Sequence, residues 1–449
     1  MLRRFATLAA TLVVAAVSAA AATAGSGGTG APVADPAGVY ALPPGYTYTD
    51  LATPCVTLEV STESGLTYPM PEDPDGKALF QGPHGETWLL VHHELTEPRP
   101  GDFQLDGGKC FVPEQTPGDN DSDGWGSISR LTLAKDGTTV TKAEIITTGL
   151  HDLCASAITP WKTYLTNEEF PFLTDPERPP DGERGSGWVW EIDPSTGAQT
   201  KLIGMGYFSH EQEAYASNGS WYLSDDRGNA QFMYKFVPNE RRDLTTGRLY
   251  GLAFNKASGT GTWVGPLRYK DPEADMIERG HSPAVEGFVK AEGIVATGSS
   301  NTLGGNAVYF SESGAGSDPG RIWALDDLGN DGLVTGHVVV AGDWARLGRP
   351  DNIRFTDAGD LFIMEDHSAN DFRNNPSTGG VNQTWVLPRH QEGSANMILF
   401  AQTVDEATGP WFSLDNKLLY LSIQADPPRR SHIIAIRHPG GGFNQPYDR

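Results

Sequence analysis

The strongest constraint on the fold of this chain is a unit of short strands that recurs about six times. Each unit reads as an entry strand, a tight turn, a second strand ending in an acidic residue, a polar loop and a third strand with an aromatic residue. Repeated antiparallel sheets of this kind close into a ring, because closure protects their edges. The pattern predicts an all-β fold, a six-bladed β-propeller with irregular loop insertions. A β-sandwich array would not explain the shared acid position. The units begin near Leu79, Trp161, Glu213, Glu292, Asp351 and Thr408.

The charge of the chain narrows the range of partners. The sequence carries 57 Asp+Glu against 33 Lys+Arg, a net charge of −24. Such an acidic surface argues against nucleic acid and anionic membranes as partners. An anionic substrate would therefore need bound cations or a local basic patch. No apolar run after the N-terminus is long enough to cross a bilayer.

The N-terminus has the pattern of an export signal. Arg3 and Arg4 precede an Ala/Val/Leu-rich run, and Ala22-Thr23-Ala24 is typical of a cleavage site. We expect a secreted or periplasmic protein, exported by the general secretory route or, given the arginine pair, by the twin-arginine route. The predicted division of the chain is a signal peptide at 1–24, a flexible leader at 25–38 and a single propeller domain at 39–449.

The chain has three cysteines, which is an odd number for an exported protein. Cys55 and Cys110 lie in loop-like contexts rich in Pro and Gly, so we expect a disulfide between them. That pairing leaves Cys154 as a free thiol, which should be either buried and inert or bound to a metal.

Carboxylates recur at two positions of the repeat. One position is the start of the entry strand, and the other is the end of the second strand. Equivalent positions in a propeller lie at equal radii, so these carboxylates should meet at one mouth of the channel. Such crowding of negative charge requires cations, protonation or exposure to solvent. The recurrent acids are Glu94, Glu168, Glu169, Asp225, Asp226, Glu213, Glu292, Glu312, Asp351, Glu365, Asp366, Glu406 and Asp426.

The ligand types suggest which metals would bind. Oxygen ligands suit Ca²⁺ in an exported protein. His93, His210 and Cys154 lie among the acids and would suit a transition metal such as Fe or Zn. We expect a mixed site, although a packing role for His93 remains open. Asp119–Gly124 resembles the first half of a calcium loop, but Arg130 stands where such a loop needs Glu.

Several motifs resemble the PhoX-type alkaline phosphatases, a family of exported bacterial enzymes. The most specific is the stretch from Cys154 to Glu169, in which Ala157 and Lys162 replace glycines of the family pattern. Other matching stretches are Leu90–Glu94, His210–Glu213, Tyr222–Arg227, Ala291–Gly293, Pro350–Asn352 and Glu406–Phe412. The resemblance covers most of the chain after the signal segment and implies a six-bladed propeller that binds calcium and iron.

The resemblance also implies a function. Cys154 and several recurrent acids would hold paired Fe³⁺ with Ca²⁺ alongside, and the metals would bind and polarise a phosphate monoester. Arg227 and Lys162 are the basic residues nearest the acids in sequence and are the candidates for phosphate contacts. We expect a monomer that acts on a small-molecule phosphate ester. A lactonase- or phytase-like calcium-dependent hydrolase and a non-catalytic binding propeller remain alternatives. The predicted metal ligands are Cys154, Glu94, Glu168, Glu169, Glu211, Glu213, Asp226, Glu292, Asp351, Glu365, Asp366, Glu406, His93 and His210.

Overall fold

The fold is described from a computed structural model of the chain. The structure describes residues 30–95, 110, 124–169, 171, 185–297, 307–327, 332–375, 377, 379–425, 429–443 and 447. The predicted signal peptide, Asp426 and most of the loop at 119–124 lie outside these residues. The expectations that concern them stay predictions.

Strands dominate the described residues. Their bounds are β1 (Thr47–Ala52), β2 (Glu59–Ser61), β3 (Thr67–Pro69), β4 (Pro74–Gln81), β5 (Thr87–His93), β6 (Gly126–Leu133), β7 (Val140–Leu150), β8 (Ala157–Ile158), β9 (Tyr164–Asn167), β10 (Val189–Ile192), β11 (Gln199–Lys201), β12 (His210–Tyr215), β13 (Trp221–Asp225), β14 (Ala230–Gln231) and β15 (Tyr234–Glu240). They continue as β16 (Asp243–Asn255), β17 (Thr260–Val264), β18 (Phe288–Val289), β19 (Ala291–Ala296), β20 (Ala307–Glu312), β21 (Arg321–Asp326), β22 (Leu333–Ala341), β23 (Pro350–Phe355), β24 (Leu361–Glu365), β25 (Asn382–Leu387), β26 (Ile398–Thr403), β27 (Glu406–Phe412), β28 (Leu418–Gln424) and β29 (His432–Arg437).

Helices are short in the described part of the chain. They are α1 (Pro272–Glu278), α2 (Pro283–Glu286) and α3 (Ala369–Asn374), with 3₁₀ turns at Ile203–Met205 and Ser394–Asn396. None of these helices is long and apolar enough to cross a membrane. The prediction of an all-β fold is confirmed.

The strands form sheets in a propeller-like arrangement, and all the described strand pairs are antiparallel except β2 with β7. Three sheets have four strands, in the orders β11-β10-β9-β8, β23-β24-β25-β26 and β1-β29-β28-β27. A six-stranded sheet, β3-β2-β7-β6-β5-β4, adds two short strands to a four-stranded group. The sheet β1-β29-β28-β27 joins the first described strand of the chain to the last, because β1 pairs with β29 from Thr47↔Arg437 onward.

A nine-stranded sheet departs from the expected set of separate blades. Its order is β12-β13-β15-β16-β17-β22-β21-β20-β19, and a further pair, β14-β18, stands beside it. The long β16–β17 hairpin reaches the outer edge of the next group, where Gly261 pairs with Val334. Two four-stranded groups, β12-β13-β15-β16 and β19–β22, are thereby fused into one sheet.

The core lies between neighbouring sheets. One hydrophobic cluster joins residues of β4–β7 to Tyr164 and Trp190 on one side and to Tyr420 on the other. Another packs Phe362 and Phe400 against Leu421 of the sheet that closes the chain. Because each sheet presses its faces on the next, side chains on both faces are buried, as the continuous buried run in β28 illustrates.

The cysteine pairing agrees with the expectation from the sequence. Cys55 and Cys110 form a disulfide with a Cα–Cα separation of 5.7 Å. Cys154 is unpaired and buried.

Candidate metal centre

Four inner strands begin with the same backbone irregularity. In β12, His210 pairs with Asp225 but Glu213 pairs with Leu223, so the strand holds one extra residue between the two pairs. A bulge of this kind changes the direction of the side chains in it. The acid that follows the first paired residue lies in the bulge each time. The four acids are Asp75 in β4, Glu211 in β12, Glu292 in β19 and Asp351 in β23.

A second group of acids follows strands β5, β9, β13 and β24, three of which pair with these inner strands. Two polar residues stand in tandem there, and neighbouring residues of an extended chain point to opposite sides. The first member of each pair is held by hydrogen bonds to surrounding protein groups, and the second interacts electrostatically with other acids. The second members are Glu94, Glu169, Asp226 and Asp366.

Cys154 lies among these carboxylates. Its thiol donates to Glu169 Oε2 at 2.9 Å and lies 3.6 Å from Glu94 Oε1. Asp75 and Glu94 form one potential ligand set with this thiol, and Glu169 and Glu211 form a second. In each set the ligand atoms lie within 4.8 Å of one another. The combination of a thiol with carboxylates is the donor set expected for a transition metal beside calcium.

Two further sets extend the centre with oxygen ligands alone. Glu94, Asp152 and Glu169 form one, and Glu211, Glu292 and Asp351 form the other. Asp226, Asp366 and Glu406 lie close enough to interact electrostatically with members of these sets. We call the whole group the central cluster. It comprises Asp75, Glu94, Asp152, Cys154, Glu169, Glu211, Asp226, Glu292, Asp351, Asp366 and Glu406.

The electrostatics of the central cluster demand compensating charge. Burial, followed by repulsion from neighbouring carboxylates, raises the pKa of Glu94, Glu169 and Glu211 well above the usual range. Burial likewise raises the pKa of Asp351 to about 7, with Asp366 adding to the effect. Burial also raises the pKa of the Cys154 thiol. Metal ions would replace these protons and stabilise the ionised groups, so the residues fit a multi-metal centre.

Among the described residues, Lys290 is a cation whose side chain directly contacts cluster carboxylates. Its Nζ lies 2.9 Å from Glu292 Oε1 and 3.4 Å from Asp226 Oδ2. The charge of Glu292 raises the pKa of Lys290, so the side chain stays protonated. Lys290 was not among the residues predicted from the sequence, although it directly precedes the matching stretch Ala291–Gly293.

Asp75 and Asp152 were also missed by the sequence analysis. Asp75 follows Pro74 as Asp351 follows Pro350, a parallel that would have revealed it. The first repeat unit predicted from the sequence begins near Leu79, four residues after this acid. Asp152 lies in an irregular segment ahead of Cys154, where no repeat position marks it.

Two predicted histidine ligands lie away from the central cluster. The ring of His93 is engaged on both sides, with Nδ1 3.1 Å from Glu72 O and Nε2 2.7 Å from Ser129 Oγ. His210 contacts Gly206 O through Nε2 at 3.0 Å and stacks on Phe208. Both rings are buried, and these contacts lie away from the central cluster.

Three predicted carboxylate ligands also lie outside the cluster. Glu168 accepts hydrogen bonds from the backbone N–H groups of His151 and Trp188. Glu365 accepts from two backbone N–H groups and from the indole of Trp385. Glu213 is buried with its Oε1 3.6 Å from His210 Nδ1. These acids are first members of tandem pairs or lie beyond the bulge, which explains their placement.

The two predicted phosphate contacts are also placed elsewhere. Arg227 forms ion pairs with Asp225 at 2.7 Å and with Glu273 at 2.6 Å, so its guanidinium is already neutralised. Lys162 is exposed in a turn with φ of 71°. Lys290 occupies the position beside the acids that the sequence analysis had assigned to Arg227 and Lys162.

A ring of hydrogen bonds beneath the carboxylates joins the inner strands. Ser156 Oγ donates to Lys77 O at 2.8 Å, Gln212 Nε2 donates to Ser156 O at 3.1 Å, and Ile294 N donates to Gln212 Oε1 at 2.8 Å. Each bond crosses from one group of strands to the next. The ring continues with donation from Ser311 to Asp351 O, from Gly409 N to Asn352 Oδ1 and from Thr408 to Asp75 Oδ1.

This ring holds the acidic strands together against their mutual repulsion. Buried hydrogen bonds of this kind are costly to leave unmade, so they resist separation of the sheets. Lys77 adds a buried ammonium that donates to Asp75 O at 2.7 Å. The carboxylates are therefore preorganised before any metal binds.

A cavity of about 640 Å³ opens above the central cluster. Its walls include Glu94, Asp152, Asp366 and Glu406 of the cluster, with Phe372 at one side. We call it the mouth cavity. It offers a small molecule direct access to the carboxylates.

Comparison with known families identifies the family to which the chain belongs. A family model described as alkaline phosphatase PhoX matches residues 137–427. The chain belongs to the alkaline phosphatase PhoX family. The resemblance noted from the sequence motifs is confirmed, and membership makes the chain a phosphatase-type hydrolase. No curated protein matches the chain.

A solved PhoX structure shares the fold. PhoX of Pseudomonas fluorescens, in complex with vanadate, a transition state analogue, matches with a TM-score of 0.67 and 18% identity, covering 92% of this chain and 98% of its own. A protein of unknown function from Dyadobacter fermentans has a TM-score of 0.44 and 13% identity, over 88% and 100% of the two chains. A gluconolactonase from Xanthomonas campestris has a TM-score of 0.38 and 12% identity, over 85% and 97%.

Proposed function

We propose that this protein is an exported phosphatase that hydrolyses phosphate monoesters at the central cluster. The observation that carries the proposal is a cluster of ten carboxylates and one thiol, four of whose carboxylates line a cavity, in a member of the PhoX family. In this reaction a water molecule attacks phosphorus and forms a new bond to it. The bond between phosphorus and the alcohol oxygen breaks, the alcohol leaves after taking a proton from the water, and phosphate remains.

The metals proposed are Fe³⁺ and Ca²⁺. Cys154 with Glu94, Glu169 and Glu211 would hold iron, because a thiolate with carboxylates suits that ion. The oxygen-only set of Glu211, Glu292 and Asp351, with Asp226, Asp366 and Glu406 nearby, would hold calcium. Bound there, the ions supply Lewis-acid polarisation of the phosphate and charge neutralisation.

The chain's own residues complete the site. Lys290 is protonated beside Glu292 and Asp226, and its side chain is 31% exposed, so its ammonium can contact a phosphate oxygen. The ring of hydrogen bonds holds the carboxylates at fixed separation, which lowers the reorganisation needed when the ester binds. The surrounding carboxylates repel anions until cations are bound, which links substrate binding to metal loading.

The proposed architecture is a single six-bladed domain at 39–449. The groups β12-β13-β15-β16 and β19–β22 of the nine-stranded sheet, which β17 joins, count as one blade each, and with the four other sheets of four or more strands they make six. The proposed signal peptide at 1–24 directs export, and we propose that the mature protein is a monomer.

The decisive experiment measures hydrolysis of p-nitrophenyl phosphate and bound metals on the same samples. The holoprotein should hydrolyse the ester, a strong chelator should abolish turnover, and iron with calcium should restore it. Elemental analysis should find both metals. A calcium-only protein that hydrolyses lactones or phytate instead would support a different hydrolase, and absence of any turnover in a fully metal-loaded sample would support a binding propeller; either result would overturn the proposal.

A further inference from the structure

A second cavity of about 560 Å³ adjoins the central cluster. We call it the side cavity. It shares Asp366 and Ser368 with the mouth cavity, and Lys290 lines it at the cluster end. A phosphate that contacts Lys290 would therefore have the side cavity next to it.

The side cavity has two walls that a single guanidinium ties together. One wall is the loop at 314–317, and the other is helix α3 with the residues around it. Arg349 donates to Ser313 O at 3.0 Å, to Asp318 O at 2.6 Å and to Gly316 O at 3.1 Å on the loop side. The same group donates to Asp371 Oδ1 of α3 at 3.1 and 2.9 Å. The separation of the walls is thus set before a ligand arrives.

Helix α3 is itself braced. Ser368 and Asp371 form a reciprocal capping box at its N-terminus. Asp371 therefore serves both the cap and Arg349. The short helix presents Asn370 and Asn374 to the side cavity as exposed side chains.

Most of the residues that line the side cavity carry polar side chains. Among the described residues that line it, the apolar ones are glycines and Ala315, and none is aromatic. Ser317 on the loop wall and Asn374 on α3 are exposed, and within the described chain their side-chain polar atoms make no hydrogen bond. An apolar group in this space would cover amide and hydroxyl groups without pairing them, which is unfavourable.

We propose that the side cavity binds the alcohol part of the substrate, and that this alcohol is rich in hydroxyl groups, as in a sugar or polyol phosphate. Hydroxyl groups both donate and accept, so they match Ser317 and Asn374 on the two walls. This inference rests on the proposed phosphatase function. The mouth cavity is lined by Phe372 and several carboxylates, so its lining differs from that of the side cavity and does not match a hydroxyl-rich alcohol in the same way.

The test compares two esters that differ mainly in hydroxyl groups, apart from one ring oxygen. Glucose 6-phosphate and cyclohexylmethyl phosphate have similar ring size, and both release a primary alcohol. The metal-loaded protein should have a kcat/KM about tenfold higher for the sugar ester, the effect of two modest hydrogen bonds. Ser317→Ala and Asn374→Ala should each reduce this preference about threefold, and the double variant should remove most of it.

The control is Asn239→Ala, which changes an exposed asparagine of β15 far along the chain from the side cavity and should keep the preference. Equal kcat/KM for the two esters, or a preference untouched by the double variant, would overturn this inference and leave the phosphatase proposal standing. Hydrolysis of neither ester by the metal-loaded protein would overturn both.

Arg349 acts as a positioning residue in this proposal. Arg349→Lys keeps the charge but loses the planar guanidinium whose N–H groups join the two walls of the side cavity. We expect its KM for glucose 6-phosphate to rise more than its KM for cyclohexylmethyl phosphate, with a smaller effect on kcat. An equal rise for both esters would indicate a general structural role and would count against preorganised walls.

Discussion

Glu168 and Glu169 are neighbours in the chain but serve opposite sides of the same strand end. Glu168 accepts backbone hydrogen bonds from His151 at 3.2 Å and Trp188 at 3.3 Å, whereas Glu169 accepts the thiol of Cys154 at 2.9 Å. The same division separates Glu365 from Asp366 and Asp225 from Asp226. One acid of each pair supports the fold, and the other supplies the cluster.

The first prediction separates these two roles. Glu169→Gln should reduce bound metal and lower phosphatase turnover on the order of 100-fold, because a ligand is lost. Glu168→Gln should keep the metals but lower the free energy of unfolding by about 1–3 kcal/mol, since it weakens two buried backbone contacts. Turnover, metal content and denaturant unfolding would be measured on both. If the two variants behave alike, the division of roles is wrong.

The second prediction concerns acids from different sheets. Glu292→Gln and Glu406→Gln should each lower calcium content and turnover together, because both carboxylates belong to the central cluster. Glu213→Gln is the matched control, since Glu213 is buried like Glu292 but contacts His210. Metal analysis after gel filtration distinguishes them. Retention of full metal content by Glu292→Gln would contradict the assignment.

The third prediction concerns the thiol. Cys154→Ser should lose iron preferentially and retain more calcium, because a hydroxyl is a poor substitute for a thiolate as an iron ligand. Peptide mapping of the unreduced protein should find Cys55 linked to Cys110 and Cys154 free. Equal loss of both metals would show that Cys154 supports the cluster only as a packing residue.

The fourth prediction concerns the stability of the metal-free protein. The pKa of Asp351 is raised to about 7 and that of Asp75 to about 6, in both cases chiefly by burial. In the unfolded chain both groups titrate near pH 4. The folded state therefore holds more protons in between, and the free energy of unfolding falls as pH rises from about 4 to about 7.

Thermal unfolding in chelator should accordingly give a Tm at least about 5 °C higher at pH 5 than at pH 8. With iron and calcium present the order should reverse, because metal binding requires ionised carboxylates. A chelated protein that is equally stable at both pH values would show that the cluster carboxylates are not buried together.

The fifth prediction tests the ring of hydrogen bonds. Gln212→Met removes the link to Ser156 and leaves the N–H of Ile294 without its partner. We expect a loss of about 1–3 kcal/mol in the free energy of unfolding and a roughly tenfold loss of metal affinity. Gln199→Met is the control, because Gln199 bonds to Thr148 O outside the ring. Unchanged metal affinity in Gln212→Met would argue against preorganisation.

Much of the centre was predictable from local pattern. The recurrence of acids at two repeat positions pointed to Glu94, Glu169, Asp226, Asp351 and other members of the central cluster. It could not separate Glu168 from Glu169, because both stand at the same strand end. The directions of their side chains depend on where pairing with the neighbouring strand stops, and the identity of neither residue determines that point.

The sequence by itself determined the all-β fold, the repeat, the disulfide between Cys55 and Cys110 and the acidic character of the centre. Each follows from strand alternation, turn residues or composition, which act over a few residues. Only the tertiary structure decided that Asp152 joins the cluster, that Lys290 takes the place expected for Arg227, and that Glu213 and His210 lie outside the cluster. Those outcomes depend on bulges and on hydrogen bonds between sheets, and such contacts exist only once distant strands have met.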